Sequence, residues 1–155
     1  MPSPARTNLG TVLIAAMAVA LVATPARAGE PAGVIKRLEG DVVLQRGDQP
    51  LRPTLGQAVQ VGDLVRTGRD GTAAITLADD TLLSAGPNSA LAITEFSFNP
   101  TTHEGGMLLS VWRGAVAVVT GLLAKKAPEK VNVQTRTVVL GVRGTEFIVD
   151  AGEGR

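Results

Sequence analysis

The sequence predicts an all-β fold in a single domain, and three observations carry that expectation. From Gly33 onward, short runs rich in Val, Ile, Leu and Thr alternate with turns built on Gly, Asp or Asn. The runs recur about every ten residues, which is the rhythm of an all-β domain. The apolar fraction is 45% while aromatics make up only 3%, so the core has to be assembled from Val, Leu, Ile and Ala. At 155 residues the chain amounts to about one domain.

Taken in order, the first expected strands are Val34–Arg37 and Asp41–Gln45, separated by Glu39-Gly40. Beyond Gly47-Asp48 come Val59–Val61 and Leu64–Thr67, with Gly62-Asp63 between them. Ala73–Leu77 follows Asp70-Gly71, the strongest local hairpin signal, because that pair tolerates the positive φ of a tight turn. Thr81–Ser84 follows Asp79-Asp80, and Leu91–Glu95 follows Gly86-Pro87-Asn88. Gly105-Gly106 and Arg113-Gly114 delimit Met107–Trp112 and Ala115–Thr120. The series closes with Val131–Arg136, Thr137–Val142 and Thr145–Val149.

Ala115–Ala127 also has the pattern of an amphipathic helix, but β-branched Val116, Val118, Val119 and Thr120 ahead of Gly121 favour a strand first. A one-turn helix over Leu122–Lys126 is expected next, ended by Pro128. Strict alternation in Val131–Arg136 places Val131, Val133 and Thr135 on one face. Asn99–Gly106 and Ala124–Lys130 read as surface loops.

Residues 1–28 read as a secretory signal peptide. Arg6 is the one charge before Leu9–Ala23, fifteen residues without a charge, and Ala26-Arg27-Ala28 supplies a small-x-small end. Fifteen helical residues reach only about 22 Å, short of a bilayer core of about 30 Å, and Pro25 opposes extension. Cleavage is expected after Ala28, which leaves residues 29–155 as the domain, with no membrane span, in the periplasm or outside the cell. Losing Arg6 and Arg27 turns the formal net charge of +1 into −1. Such a balance gives no electrostatic reason to expect nucleic acid as a partner.

The chain is poor in catalytic material. It has no cysteine, which excludes disulfides, thiolate metal sites and thiol nucleophiles. Its one histidine, His103, lies in a polar Gly-rich segment and reads as a solvated loop residue, because a zinc site there would need carboxylates or water in every other position. Asp63, Asp70, Asp79 and Asp80 fall at turns and not at calcium-loop spacing. Ser84, Ser89, Ser97 and Ser110 lack the setting of a hydrolase nucleophile. Gly152-Glu153-Gly154 precedes no helix and so cradles no phosphate, and Glu129 interrupts the small basic group of Lys125, Lys126 and Lys130. The expectation is no enzyme, no cofactor and no metal.

The string that stands out is Gly141-Val142-Arg143-Gly144-Thr145-Glu146-Phe147. The preferred account is structural: Gly144 permits a bulge or a close backbone approach, Arg143 pairs with Glu146, and Phe147 fills the Ala/Val-rich core. The functional account is that Arg143 faces a partner.

Together with Val61–Gly68 (VGDLVRTG), and with Ala74–Leu91 and its Gly86-Pro87-Asn88-Ser89 turn, this string resembles the periplasmic FecR domain over about Gly33 to Asp150. The resemblance implies an all-β domain of short twisted strands, solenoid-like or sandwich-like, within a family of envelope signalling proteins. Three departures bear on function. Only eight residues precede the apolar run, so the anti-sigma segment of full-length regulators does not carry over. The Asp-Gly turn usual between the strands of Ala74–Leu91 is Asp79-Asp80 here. The last expected strand ends at Val149, where relatives often continue with another, which leaves two readings open: an incomplete domain edge or a truncated chain.

The expected function is a stand-alone, exported, non-catalytic interaction module that binds an envelope protein through a sheet edge or surface; the expected turns hold no large apolar anchor, and Arg143 and Trp112 are the two residues to mutate first. The competing expectation is a periplasmic polysaccharide- or ligand-binding protein, for which Trp112, Phe96, Phe98 and Phe147 are the available aromatics. A hydrolase using His103 and a serine ranks last.

Overall fold

In the computed structural model of the chain, the described residues are Pro2 and 30–153. The predicted signal peptide, Pro2 apart, lies outside them. The described residues form thirteen strands: β1 (Pro31–Glu39), β2 (Val42–Arg46), β3 (Gln49–Leu51), β4 (Ala58–Gln60), β5 (Leu64–Thr67), β6 (Thr72–Leu77) and β7 (Leu82–Ala85), then β8 (Ala90–Phe98), β9 (Gly105–Arg113), β10 (Ala115–Val119), β11 (Val131–Gln134), β12 (Val139–Gly141) and β13 (Glu146–Asp150). One short helix, α1 (Leu122–Lys126), and a 3-10 turn at Pro128–Lys130 sit between β10 and β11.

The strands build a six-stranded sheet ordered β13-β10-β7-β6-β1-β4 and a seven-stranded sheet ordered β12-β11-β9-β8-β5-β2-β3. All pairings are antiparallel except β9 with β11. Ile35, Ile75, Leu83, Val116 and Val118 from the first sheet and Leu44, Leu91, Ile93, Leu109 and Val133 from the second belong to one buried cluster. Two sheets over one shared core is the sandwich-like alternative, although the chain passes from one sheet to the other at most of its turns. Each fully buried Leu or Ile contributes about 1.5–3 kcal/mol relative to exposure, so the aliphatic core suffices without aromatics.

Several expectations are corrected in detail. Asp70-Gly71 does not close a hairpin: β5 pairs with β2 and β8, whereas β6 pairs with β1 and β7 in the facing sheet. Turn chemistry tells that the chain reverses, not whether the flanking strands pair or face each other across the core. The two-residue hairpin is instead at Gly47-Asp48, where Arg46 lies opposite Gln49 and Gly47 has φ +59. Its second strand, β3, is not among the strands expected from the sequence; it holds Pro50, which an edge strand tolerates.

The one-turn helix occurs where Pro128 predicts its end, so Ala124–Lys130 is mostly helical turn and not loop. Asp80 adopts φ +66, taking the left-handed conformation that glycine fills in the usual Asp-Gly turn. Gly121 is required by space: a Cβ there would lie 2.0 Å from the Asp79 carbonyl oxygen.

Candidate functional site

The string Gly141–Phe147 begins at the last residue of β12, crosses between the sheets over residues 142–145 and enters β13. It therefore joins the outermost strand of one sheet to the outermost strand of the other. Val142 is buried and its N–H donates to the Val131 carbonyl at 3.2 Å. Thr120 secures the far end, its N–H donating to the Thr145 carbonyl at 2.8 Å and its hydroxyl to the Gly144 carbonyl at 3.0 Å. Gly144 has φ +133, and a Cβ added to it would meet open space, so conformation and not crowding requires glycine there.

Arg143, Gly144, Thr145 and Glu146 are all exposed. The expected Arg143–Glu146 pair is not among the ion pairs of the described residues. Strand alternation explains Glu146: Phe147 and Val149 face inward in β13, so Glu146, Ile148 and Asp150 face outward. Phe147 is half-buried and packs against the core, as expected. Together with Thr120, Ala124 and Lys125, the crossing borders a cleft of about 950 Å³. Lys125, Glu129 and Arg143 put both signs of charge on its rim.

The strands on either side of the crossing are open. Among the described residues neither β12 nor β13 has a second neighbour, and apolar side chains here reach solvent: Val139 of β12 is 64% exposed and Ile148 of β13 71%, with Leu140 of β12 and the preceding Val138 about half exposed. No such apolar anchors were expected at the turns. A signal was present in Val138-Val139-Leu140, an unbroken apolar run that lacks the alternation of a half-buried strand.

Trp112 does not join this group. It is 44% exposed near the end of β9, just before Ala115. Ala115 lies opposite Asp150, whereas the crossing meets the other end of β10, where Val119 lies opposite Glu146. His103 is half-buried with φ +58 and stacks on Phe98 at a centroid distance of 5.9 Å, which gives it a packing partner that the loop reading lacked. Asn99 orders that turn by accepting from the N–H groups of Thr101 and Thr102.

Asp63 and Asp79, read from the sequence as turn residues, are buried carboxylates, and both are structural. Asp63 accepts from Arg46 Nε at 2.9 Å, Arg46 Nη2 at 2.7 Å and the Gln60 N–H at 2.8 Å. The hydrogen-bonded carboxylate raises the Arg46 guanidinium above its ordinary pKa. Asp79 accepts from the N–H and hydroxyl of Thr81 and from the Leu123 N–H, tying the β6–β7 turn to α1. Among the described residues no group of three or more His, Asp or Glu could hold a metal ion, and no helix is long and apolar enough to cross a membrane.

A family model described as FecR protein matches residues 63–155, more than half of the chain and every strand from β5 to β13. The resemblance read from the sequence starts earlier, at Gly33; the match begins at Asp63 and includes the Gly141–Phe147 string. No curated protein and no solved structure matches the chain.

Proposed function

The chain belongs to the FecR protein family, and from that premise we propose that it is an exported, non-catalytic interaction module of the bacterial envelope that receives an extended segment of an envelope protein. The observation that carries this reading is that β12 and β13, on either side of the exposed crossing, have no outer strand among the described residues. An unpaired strand edge offers a row of N–H and C=O groups that a partner strand completes, and adjacent apolar side chains supply specificity. β13 is the better edge because five residues run there in unbroken register with β10 on its inner side. Ile148 and the exposed guanidinium of Arg143 then lie at the seam. Signal relay fits such a module, since a segment that adds and leaves at an edge changes little inside the core.

In-cell cross-linking of the full chain carrying a C-terminal tag, followed by mass spectrometry of what co-purifies, tests the reading. One dominant envelope protein is expected, with its recovery reduced at least tenfold by Ile148→Lys and by Arg143→Ala while circular dichroism stays unchanged. Recovery of that partner undiminished in both folded variants, or of no protein at all, would overturn it.

A further inference from the structure

A second surface, at the other end of β10 from the family string, has a different chemistry and stands independently of the strand-edge reading. Along β9 the buried apolar residues are Met107, Leu109 and Val111, so strict alternation would send Trp112 to the opposite face, that of Ser110, and Arg113 inward. The register breaks at that point. Leu91 lies opposite Val111 and Ala90 opposite Arg113, which leaves Trp112 as the extra residue of a β-bulge. The bulge puts Trp112 and Arg113 side by side on the outer face, both exposed.

The row continues across the sheet, because Ala90 lies opposite Arg66 of β5 on its other side. Two guanidiniums therefore straddle an alanine, on strands about 10 Å apart by ordinary strand spacing. Arg136, just beyond β11, completes the wall of a shallow cavity of about 200 Å³ formed by Arg66, Ala90, Trp112, Arg113 and Arg136. Its floor belongs to a small buried cluster of Leu64, Ala90 and Ala92, separate from the main core.

Three arginines around one cavity repel one another, and among the described residues no carboxylate pairs with any of them. The acid of this face that lies nearest along β8, Glu95, sits opposite Leu108, four residues down β9 from Trp112 and about 13 Å away. In a chain whose charges nearly balance, that arrangement sacrifices stability for a positive field over a flat aromatic ring. Arg113 is held in place by its Nε donating to the Asn88 carbonyl at 3.0 Å.

We propose that this cavity binds a carboxylated sugar of an acidic polysaccharide, with the Trp112 indole stacked on the ring and the Arg66, Arg113 and Arg136 guanidiniums on its carboxylate and hydroxyl groups. Arginine presents a fork that matches a carboxylate, and the indole face matches the C–H face of a pyranose. The cavity is below the size of a drug-sized pocket and suits one ring at a time. A single-stranded nucleic acid is disfavoured because Trp112 is the one aromatic of the cavity, whereas stacking platforms use several in succession.

Trp112 is the one tryptophan of the chain, so its fluorescence reports directly on the cavity. The purified protein is titrated at low salt with trigalacturonic acid, with neutral maltotriose, with inorganic phosphate and with phosphatidylglycerol vesicles. Saturable quenching or enhancement by trigalacturonic acid, weakened at least tenfold in Arg66→Ala and Arg136→Ala and by raised salt, is the expected result. Both arginines are exposed, so the variants should retain the far-ultraviolet spectrum of the parent. An equal response to maltotriose would remove the role of charge and overturn the proposal. A response confined to vesicles or phosphate would assign the patch to a phosphate-bearing ligand and overturn it too, as would silence toward every probe up to millimolar concentration.

Discussion

Val61–Gly68 and Gly141–Phe147 carry the same kinds of residue, glycines beside an acid, an arginine and a threonine; their arginines are both exposed, but their acids and threonines end in opposite physical states. In the first, Asp63 is buried and saturated by Arg46 and the Gln60 N–H. Thr67 is buried as well, its hydroxyl donating to the Gly86 carbonyl at 2.6 Å and accepting from the Ser89 N–H at 2.8 Å. In the second, Arg143, Thr145 and Glu146 are exposed, and stability rests on a glycine conformation and on Thr120 bonding the backbone. A buried polar residue has its geometry dictated by the cost of leaving it unpaired, whereas an exposed one on an ordered crossing is free to meet something else. Motif membership alone does not separate these roles.

The comparison is broken most directly at Asp63. Asp63→Ala removes the acceptor for three donors and should lower unfolding free energy by about 2–4 kcal/mol in urea denaturation. A loss under about 0.5 kcal/mol, the range of ordinary surface changes, would mean that the first motif is no more structural than the second. Next in size is Gly144→Ala, expected to cost about 1–2 kcal/mol through φ alone, since space is open around it. A neutral result would show that the crossing adopts another conformation in solution.

Asp80→Gly acts in the opposite direction. Relief of the left-handed Asp80 should raise stability by up to about 1 kcal/mol, with Asp79 still tied to Thr81 and Leu123. A fall in melting temperature would show that the Asp80 side chain contributes something the structure does not reveal. The smallest effect belongs to Arg143→Ala, which should leave stability within about 0.5 kcal/mol while diminishing partner recovery. A large destabilisation there would restore the structural account of the second motif.

Much of the fold was legible. The expected strand centres coincide with observed strands throughout, and α1 ends where Pro128 demands. What was not legible depends on which strands meet. Asp70-Gly71 has the chemistry of a hairpin turn yet leads from one sheet to the other, because a reversal of direction looks the same locally in both cases. The candidate surfaces divide in the same way. The string 143–147 drew attention by its residues, but that Val138, Val139 and Ile148 are exposed, and that β12 and β13 have no outer strand among the described residues, is seen only in the assembled sheets. Trp112 was singled out without its arginines, because a bulge and three different strands assemble them.

By itself, the sequence determined the all-β class, the aliphatic core and the positions of most turns. These follow from side-chain branching, period-two alternation and the backbone preferences of Gly, Asp and Pro, all local properties. Only the tertiary structure decided that two sheets share one core, that Asp63 pairs with Arg46 while Arg143 pairs with no carboxylate among the described residues, and which edges are left open. Those outcomes depend on register and on contacts between residues far apart in the chain, where a one-residue shift exchanges the buried face of a strand for the exposed one.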